Sequence, residues 1–132
     1  MNCEDMLDYV SQTGIVIKVG QNAKENDTLS LSADASHWWF HATDVAGAHV
    51  IACAPVLDRE TKRDAAVLAA YHSKAPRTVK MTPVDTCQVE GVTKDSGANH
   101  GQVLARDVQV LTVFMNKATE KARLGRLLSQ VR

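Results

Sequence analysis

Two histidines, His41 and His49, are the side chains of this chain best suited to proton transfer, metal binding or contact with a nucleobase. A catalytic zinc takes three protein ligands, and no cysteine or carboxylate at a recognised spacing supplies the third. His37 falls one residue pair beyond Trp39 on the same face, too far to complete the set. The pair therefore stands between packed, hydrogen-bonded core histidines and groups that meet a ligand. Trp38, Trp39 and Phe40 precede His41 and offer flat faces of the kind on which unpaired bases stack. Aromatic residues make up only 5% of the chain, so at least two of the three are expected to build the core. Upstream, segment 19–27 carries Asn22, Lys24 and Asn26, polar groups able to face phosphate or simply to close a turn. It is not a P-loop, because the glycine spacing and the Lys-Ser/Thr ending are missing. Lys74, Arg77 and Lys80 form a basic group suited to steering phosphate, or to a solvated helix end. No G-x-S-x-G, no cysteine in a nucleophile context and no paired-carboxylate motif occurs, so the reading is non-catalytic.

These side chains need elements to hold them. Residues 4–10 read as a short acidic turn, and the β-branched run Ile15 to Val19 reads as a strand closed by Gly20. Gln21 to Asp27 is rich in turn-forming Asn and Asp. Segments 37–42 and 48–53 are apolar and suit strands, and the five residues Thr43 to Gly47 join them at a common hairpin length. Symmetry about Val45 pairs His41 with His49 and Trp39 with Ile51, so these four share one face. Trp38, Phe40, Val50 and Ala52 share the other, which places the hairpin at the centre of a sheet covered on both sides. Thr61 and Asp64 resemble a capping box opening a helix over about 61–75, which Pro76 stops. A strand over 84–92, a glycine-rich turn over 95–101 and a strand over 108–115 follow. Leu124, Leu127, Leu128 and Val131 recur at helical spacing and predict an amphipathic C-terminal helix over 116–132. Strands around one long helix, without strict alternation, predict an α+β fold with a mixed, largely antiparallel sheet.

The 132 residues suffice for one domain, 1–132, and 45% hydrophobic with 23% charged residues is a globular composition. The longest apolar tract, Val50 to Val56, is short and broken by Pro55, which predicts no membrane span. The first residues are acidic where a secretory signal is basic, and Cys3, Cys53 and Cys87 show no C-x-x-C; a cytoplasmic protein with reduced thiols is expected. Net charge is zero, against the basic excess usual in nucleic-acid-binding modules. The charge is unevenly placed. Lys117, Lys121, Arg123, Arg126 and Arg132 face only Glu120 in 115–132, and 56–80 is also basic, while 1–36 is acidic.

Four segments, in order, resemble the NFACT RNA-binding domain over nearly the whole chain. Ile17 to Asp27 is similar to that family's strand followed by V-G-R-N and N-D. Trp39-Phe40-His41-Ala42 with Gly47-Ala48-His49-Val50 resembles its W-F-H-A and G-S-H-V pair. Ala65 to Lys74 resembles its A-A-x-x-A-A-Y-x-S-K helix, and Gly97 to Val103 its G-A-x-P-G-x-V turn. The larger family members rescue stalled ribosomes, sit on the large subunit and hold transfer RNA. Their other domains have no room here, so the resemblance implies a free-standing, cytoplasmic RNA-binding module for transfer or ribosomal RNA. It implies no cofactor, no metal and no membrane association.

From the residues and the resemblance together, the expected RNA-facing set is Asn22, Lys24, Asn26, Trp39, His41, His49, Lys74, Arg77, Lys80, Lys94 and Asn99. The departures remove charge or polarity. Gln21 stands where the family has Arg or Lys, His37 replaces an Asp, and Ala48 replaces a Ser. Glu90, Thr93 and Asp95 dilute a lysine cluster around Lys94. Two other readings follow from the residues alone. One is a protein-interaction adaptor with a decayed RNA surface, docking a partner through the C-terminal helix. The other is a small metal-dependent hydrolase using His41 and His49.

Overall fold

The computed structural model describes residues 7–76 and 79–130. Its main sheet has six strands, all neighbours antiparallel: β1 (Leu7–Val10), β2 (Val16–Val19), β3 (Trp38–Ala42), β4 (Val50–Ala52), β5 (Thr82–Gln88) and β8 (Gln109–Val113). The spatial order is β1-β2-β4-β3-β5-β8, and β6 (Val92–Thr93) pairs with β7 (Leu104–Ala105) as a separate ribbon. Three helices complete the α+β fold: α1 (Ala23–Ser32), α2 (Arg59–Tyr71) and α3 (Ala118–Leu128).

The aromatic hairpin lies where its pattern places it, in the middle of the sheet. Trp39 pairs with Ile51 and Phe40 with Val50, the register expected from symmetry about Val45. Alternation then sends neighbours to opposite faces. Phe40, Val50 and Ala52 are buried against the alanine-rich side of α2, where Ala65, Ala66, Ala69 and Ala70 let the helix lie close to the strands. Trp39 and Ile51 are buried on the other face with Leu29 of α1, Cys87, Val89 and Val92. Burying side chains such as Phe40 or Leu68 stabilises the fold by about 1.5–3 kcal/mol each.

Several boundaries differ from the sequence reading, each for a local reason. Residues 7–10 are strand rather than turn, because Tyr9 is buried and pairs with Ile17; residues 1–6 lie outside the described part. Segment 21–27 is not a turn but the start of α1. Asn22 caps it by accepting from the Glu25 amide, and the Glu25 carboxylate accepts from the Gln21 amide, a reciprocal arrangement close to a capping box. The helix carries no apolar stripe; it buries Asn26, Asp27 and Ser30 beside Leu29, so hydrophobic periodicity does not mark it. Helix α2 begins two residues early and ends at Tyr71. Asp58 caps it through the Thr61 amide, which leaves Asp64 free for another task. The strand over 84–92 is divided: after Gln88 a 3-10 turn, Val89–Gly91, redirects the chain out of the main sheet into the ribbon. Strand 108–115 shortens to β8, and the final helix begins at Ala118; Val131 and Arg132 lie outside the described residues. Among the described residues no helix is long and apolar enough to cross a membrane.

Asp64 has no exposed surface and ties α2 to two other segments, α3 and the β1–β2 connection. Its carboxylate accepts from Arg123 at 2.7 Å, from Arg126 at 2.6 Å and from the Gln12 amide at 2.9 Å. Arg123 also bonds Glu60, and Arg63 bonds the Thr112 carbonyl and Glu120. Leu127 is fully buried, and Leu124 and Leu128 pack on the same core. The apolar side of α3, expected as a docking surface, thus faces the sheet and α2, and two of its arginines are paired inside the fold. Removing one partner of a buried ion pair strands the other charge. Asp64→Ala is therefore expected to lower stability by about 3 kcal/mol, read from the shift of the urea denaturation midpoint, and a shift within the error of a surface control such as Lys62→Ala contradicts this role.

Candidate nucleic-acid interface

The four motif segments converge on one open cleft of about 1210 Å³. Gly20, Gln21 and Asn22 come from the end of β2 and the cap of α1; Trp39 and His41 come from β3. Gly47, Ala48 and His49 come from the β3–β4 connection, His72, Ser73 and Lys74 from the end of α2, and His100 to Val103 from the glycine-rich turn. Backbone hydrogen bonds hold these pieces together. Lys74 N–H donates to the Ala46 carbonyl at 2.7 Å and Ala48 N–H to the His72 carbonyl at 3.1 Å, so the end of α2 is strapped to the hairpin loop. Gly20 allows α1 to approach β2: a Cβ there would fall 2.2 Å from Asn26 Oδ1. Gly101 adopts φ +82°, a left-handed conformation that glycine accepts, and lies against Ala23 at the start of α1.

His49 is the centre of the construction. It is buried, its amide donates to Asn26 Oδ1 at 3.0 Å, and its carbonyl accepts from the Gly20 amide at 3.1 Å. The Gly101 carbonyl, 3.1 Å from Nε2, can only accept, so Nε2 carries the ring proton and Nδ1 accepts from the Ser30 hydroxyl at 2.7 Å. Burial, helped by the neighbouring His41 ring, pushes the His49 pKa from 6.5 down to about 4. His41 stacks on Trp39, with ring centres 5.7 Å apart and planes 11° from parallel, and meets the His49 ring edge-on at 5.3 Å. Burial lowers its pKa too, and the Asp85 charge partly opposes this. Both rings are therefore neutral near pH 7, so they offer stacking and hydrogen bonding rather than positive charge. Among the described residues no three His, Cys, Asp or Glu side chains stand where they could hold one metal ion. Both ring nitrogens of His49 are already engaged in hydrogen bonds within the fold.

Asp27, absent from the expected site, fixes the glycine-rich turn. It accepts from the Gly101 amide at 2.8 Å, from Lys94 at 3.1 Å and from His100 Nδ1 at 3.1 Å. Its partial burial pushes the carboxyl up, but the Gly101 amide, Lys94 and His100 outweigh this and hold it below the usual carboxylate range. Lys94 also donates to the Asn99 and Gln102 carbonyls, so its ammonium clamps the turn. Of the expected contact residues, Asn22, Asn26, Trp39, His41, His49 and Lys74 line the cleft. Asn26 and Trp39 are buried there, Asn26 holding the His49 amide and the Gly47 carbonyl. Lys24, Lys80 and Asn99 are exposed but do not line it, and Arg77 lies outside the described residues. Asp27 had a visible signal in the Asn26-Asp27 pair of the first motif. Ser30 and Asp85 had none, because only the tertiary structure brings them to the histidines.

No family model matches the chain. It is 36% identical over 96 residues, 72% of its length, to the Rqc2 homolog RqcH of Bacillus subtilis. It is 40% identical over 109 residues, 80% of its length, to the RqcH of Streptococcus suis, and 33% identical over 108 residues to that of Streptococcus pneumoniae. The chain spans 17–19% of the length of these relatives. Among solved structures it superposes, with a TM-score of 0.82 and 33% identity, on the C-terminal part of the fibronectin/fibrinogen-binding protein of Streptococcus suis. That match covers 92% of this chain and 50% of the other.

The neutral, buried state of His49 has a pH consequence. Its folded pKa lies below 6.5, so on acidification the unfolded chain takes up the proton first. The stabilisation is complete above about pH 6.5 and is lost as pH falls towards about 4, by on the order of 3 kcal/mol for His49 alone. Urea denaturation between pH 7 and 4.5 is expected to show this fall, and a His49→Gln variant a distinctly shallower one. An unchanged slope in the variant would show that His49 is not the group responsible. Over about 80% of its length, this chain is a homologue of the Rqc2/RqcH proteins of the NFACT family.

Proposed function

We propose that the chain is a non-catalytic RNA-binding module of the NFACT type, acting in the cytoplasm on transfer RNA or ribosomal RNA in ribosome quality control. The observation that carries this reading is the convergence of all four family-like segments on one cleft. A fold that needed them only for packing would have no reason to line one open depression with them. The cap of α1 opens on the cleft through Gln21, Asn22 and Ala23, and helix N-termini present amide donors to anions. Lys74 stands exposed at the same rim, and Lys80 lies further along the same connection. Within this proposal the described chain acts as a single module, and the large ribosomal subunit is the expected platform.

A second reading, a protein-interaction adaptor, is favoured by zero net charge and by the pairing of Arg123 and Arg126 inside the fold. The name of the solved relative, a fibronectin/fibrinogen-binding protein, points in the same direction.

Fluorescence anisotropy with a transfer RNA at several salt concentrations separates the two. Each phosphate contact adds close to one unit to the slope of log K against log salt. Lys74→Glu is expected to weaken binding and flatten that slope by about one unit, with Lys80→Glu acting in the same direction and Lys62→Glu on α2 having little effect. No salt-dependent RNA binding by the wild type, together with binding to immobilised fibrinogen, would select the adaptor.

A further inference from the structure

The floor of the cleft carries a charge of the wrong sign for phosphate. Asp85 lines it, half-buried, directly opposite His41 in the β3–β5 register. Its Oδ1 accepts from the Thr43 hydroxyl at 2.7 Å, and among the described residues no basic side chain forms a salt bridge with it. A carboxylate has about four acceptor positions, so Thr43 leaves most of them open. Asp44 also lines the cleft, and Lys74 is its only Lys or Arg among the described lining residues. Phosphates are repelled from such a floor and belong at the rim, near Lys74 and the α1 cap. An uncharged, flat group with N–H donors suits the interior. His41 supplies a ring held flat on Trp39, and Val103, Leu104 and Val108 supply apolar walls.

The donor pattern selects among the bases. Guanine presents two adjacent donors, N1–H and the 2-amino group, which match a carboxylate bidentately. Adenine and cytosine place a ring-nitrogen acceptor beside their amino group, and uracil flanks its single N–H with carbonyls; each turns a lone pair towards the carboxylate. We propose that the cleft seats one unpaired guanine of the bound RNA, stacked on His41 and read through its Watson–Crick edge by Asp85. This rests on the RNA-binding reading and specifies which part of the RNA enters the cleft. The half-buried, uncharged ring of His41 fits a stacking role.

The test uses uridine heptamers carrying a central guanosine, inosine, adenosine, cytidine or uridine, bound to the wild-type protein and to Asp85→Asn. The asparagine keeps an acceptor for Thr43 but turns an N–H towards the guanine donors. The wild type is expected to prefer guanosine about tenfold over adenosine, cytidine and uridine, as bidentate base contacts do. Inosine, which lacks the 2-amino group, is expected to fall between, and this comparison needs no variant. Asp85→Asn, with its melting temperature confirming the fold, is expected to lose the preference while keeping its salt dependence. Equal binding of all five heptamers, or a preference that survives Asp85→Asn, overturns the guanine site and leaves the RNA reading standing. A pocket that discriminates no base but binds an oligolysine peptide through Asp85 overturns it in favour of a cationic partner. Absence of binding to any heptamer and to transfer RNA overturns the RNA reading itself, and the guanine site with it.

Discussion

His49 lies at the edge of the central hairpin with its amide, its carbonyl and both ring nitrogens each hydrogen-bonded to a different residue, together tying it to β2, α1 and the glycine-rich turn. A buried group that loses a partner costs about 1–3 kcal/mol, so these bonds fix not only the histidine but the segments at their far ends. α1 is held against the sheet through Asn26 and Ser30, and the turn at 97–101 is held against α1 through Gly101 and Asp27. The walls of the cleft are the outer surfaces of the parts that His49 joins. Protonating the ring would reverse the Nδ1 bond to Ser30, the hydroxyl then accepting instead of donating, and would leave a positive charge in a buried site.

Charge tells a less simple story than the distribution along the chain implies. The basic surplus near the C-terminus does not form a free surface, since Arg123 and Arg126 neutralise Asp64 and Glu60 beneath them. Lys94 is likewise occupied in clamping its own turn. Among its described lining residues the cleft has one lysine, the neutral rings of His41 and His49, and two carboxylates. An anion-binding role there has to draw on helix-end amides and the rim lysine, and any group entering the interior meets hydrogen-bond acceptors and flat rings. The zero net charge is thus reflected in a cleft with little electrostatic attraction for anions.

Strand alternation and symmetry about Val45 sufficed to pair Trp39 with Ile51 and to send Trp39 and Phe40 to opposite faces, although β4 begins only at Val50 and His49 falls in a connection longer than the five residues expected. The alanine-rich helix and the terminal leucine repeat were equally legible, as both depend on local propensity and spacing. Helix α1 was not, since its buried side is polar and answers to His49 and the glycine-rich turn rather than to a hydrophobic stripe. Thr61 and Asp64 looked like a cap, yet Asp58 fills that position and Asp64 serves arginines about sixty residues away in the chain.

The sequence by itself determined the α+β class, the central hairpin and the identity of the motif segments, all of which follow from interactions between residues near one another in the chain. Only the tertiary structure decided which polar side chains remain available to a ligand. A hydrogen bond or ion pair between distant segments removes a group from the surface without leaving any local trace. Asn26, Lys94, Arg123 and Arg126 are tied up for that reason, while Lys74, already marked by the sequence, and Asp85, unremarkable in the chain, are left facing the cleft.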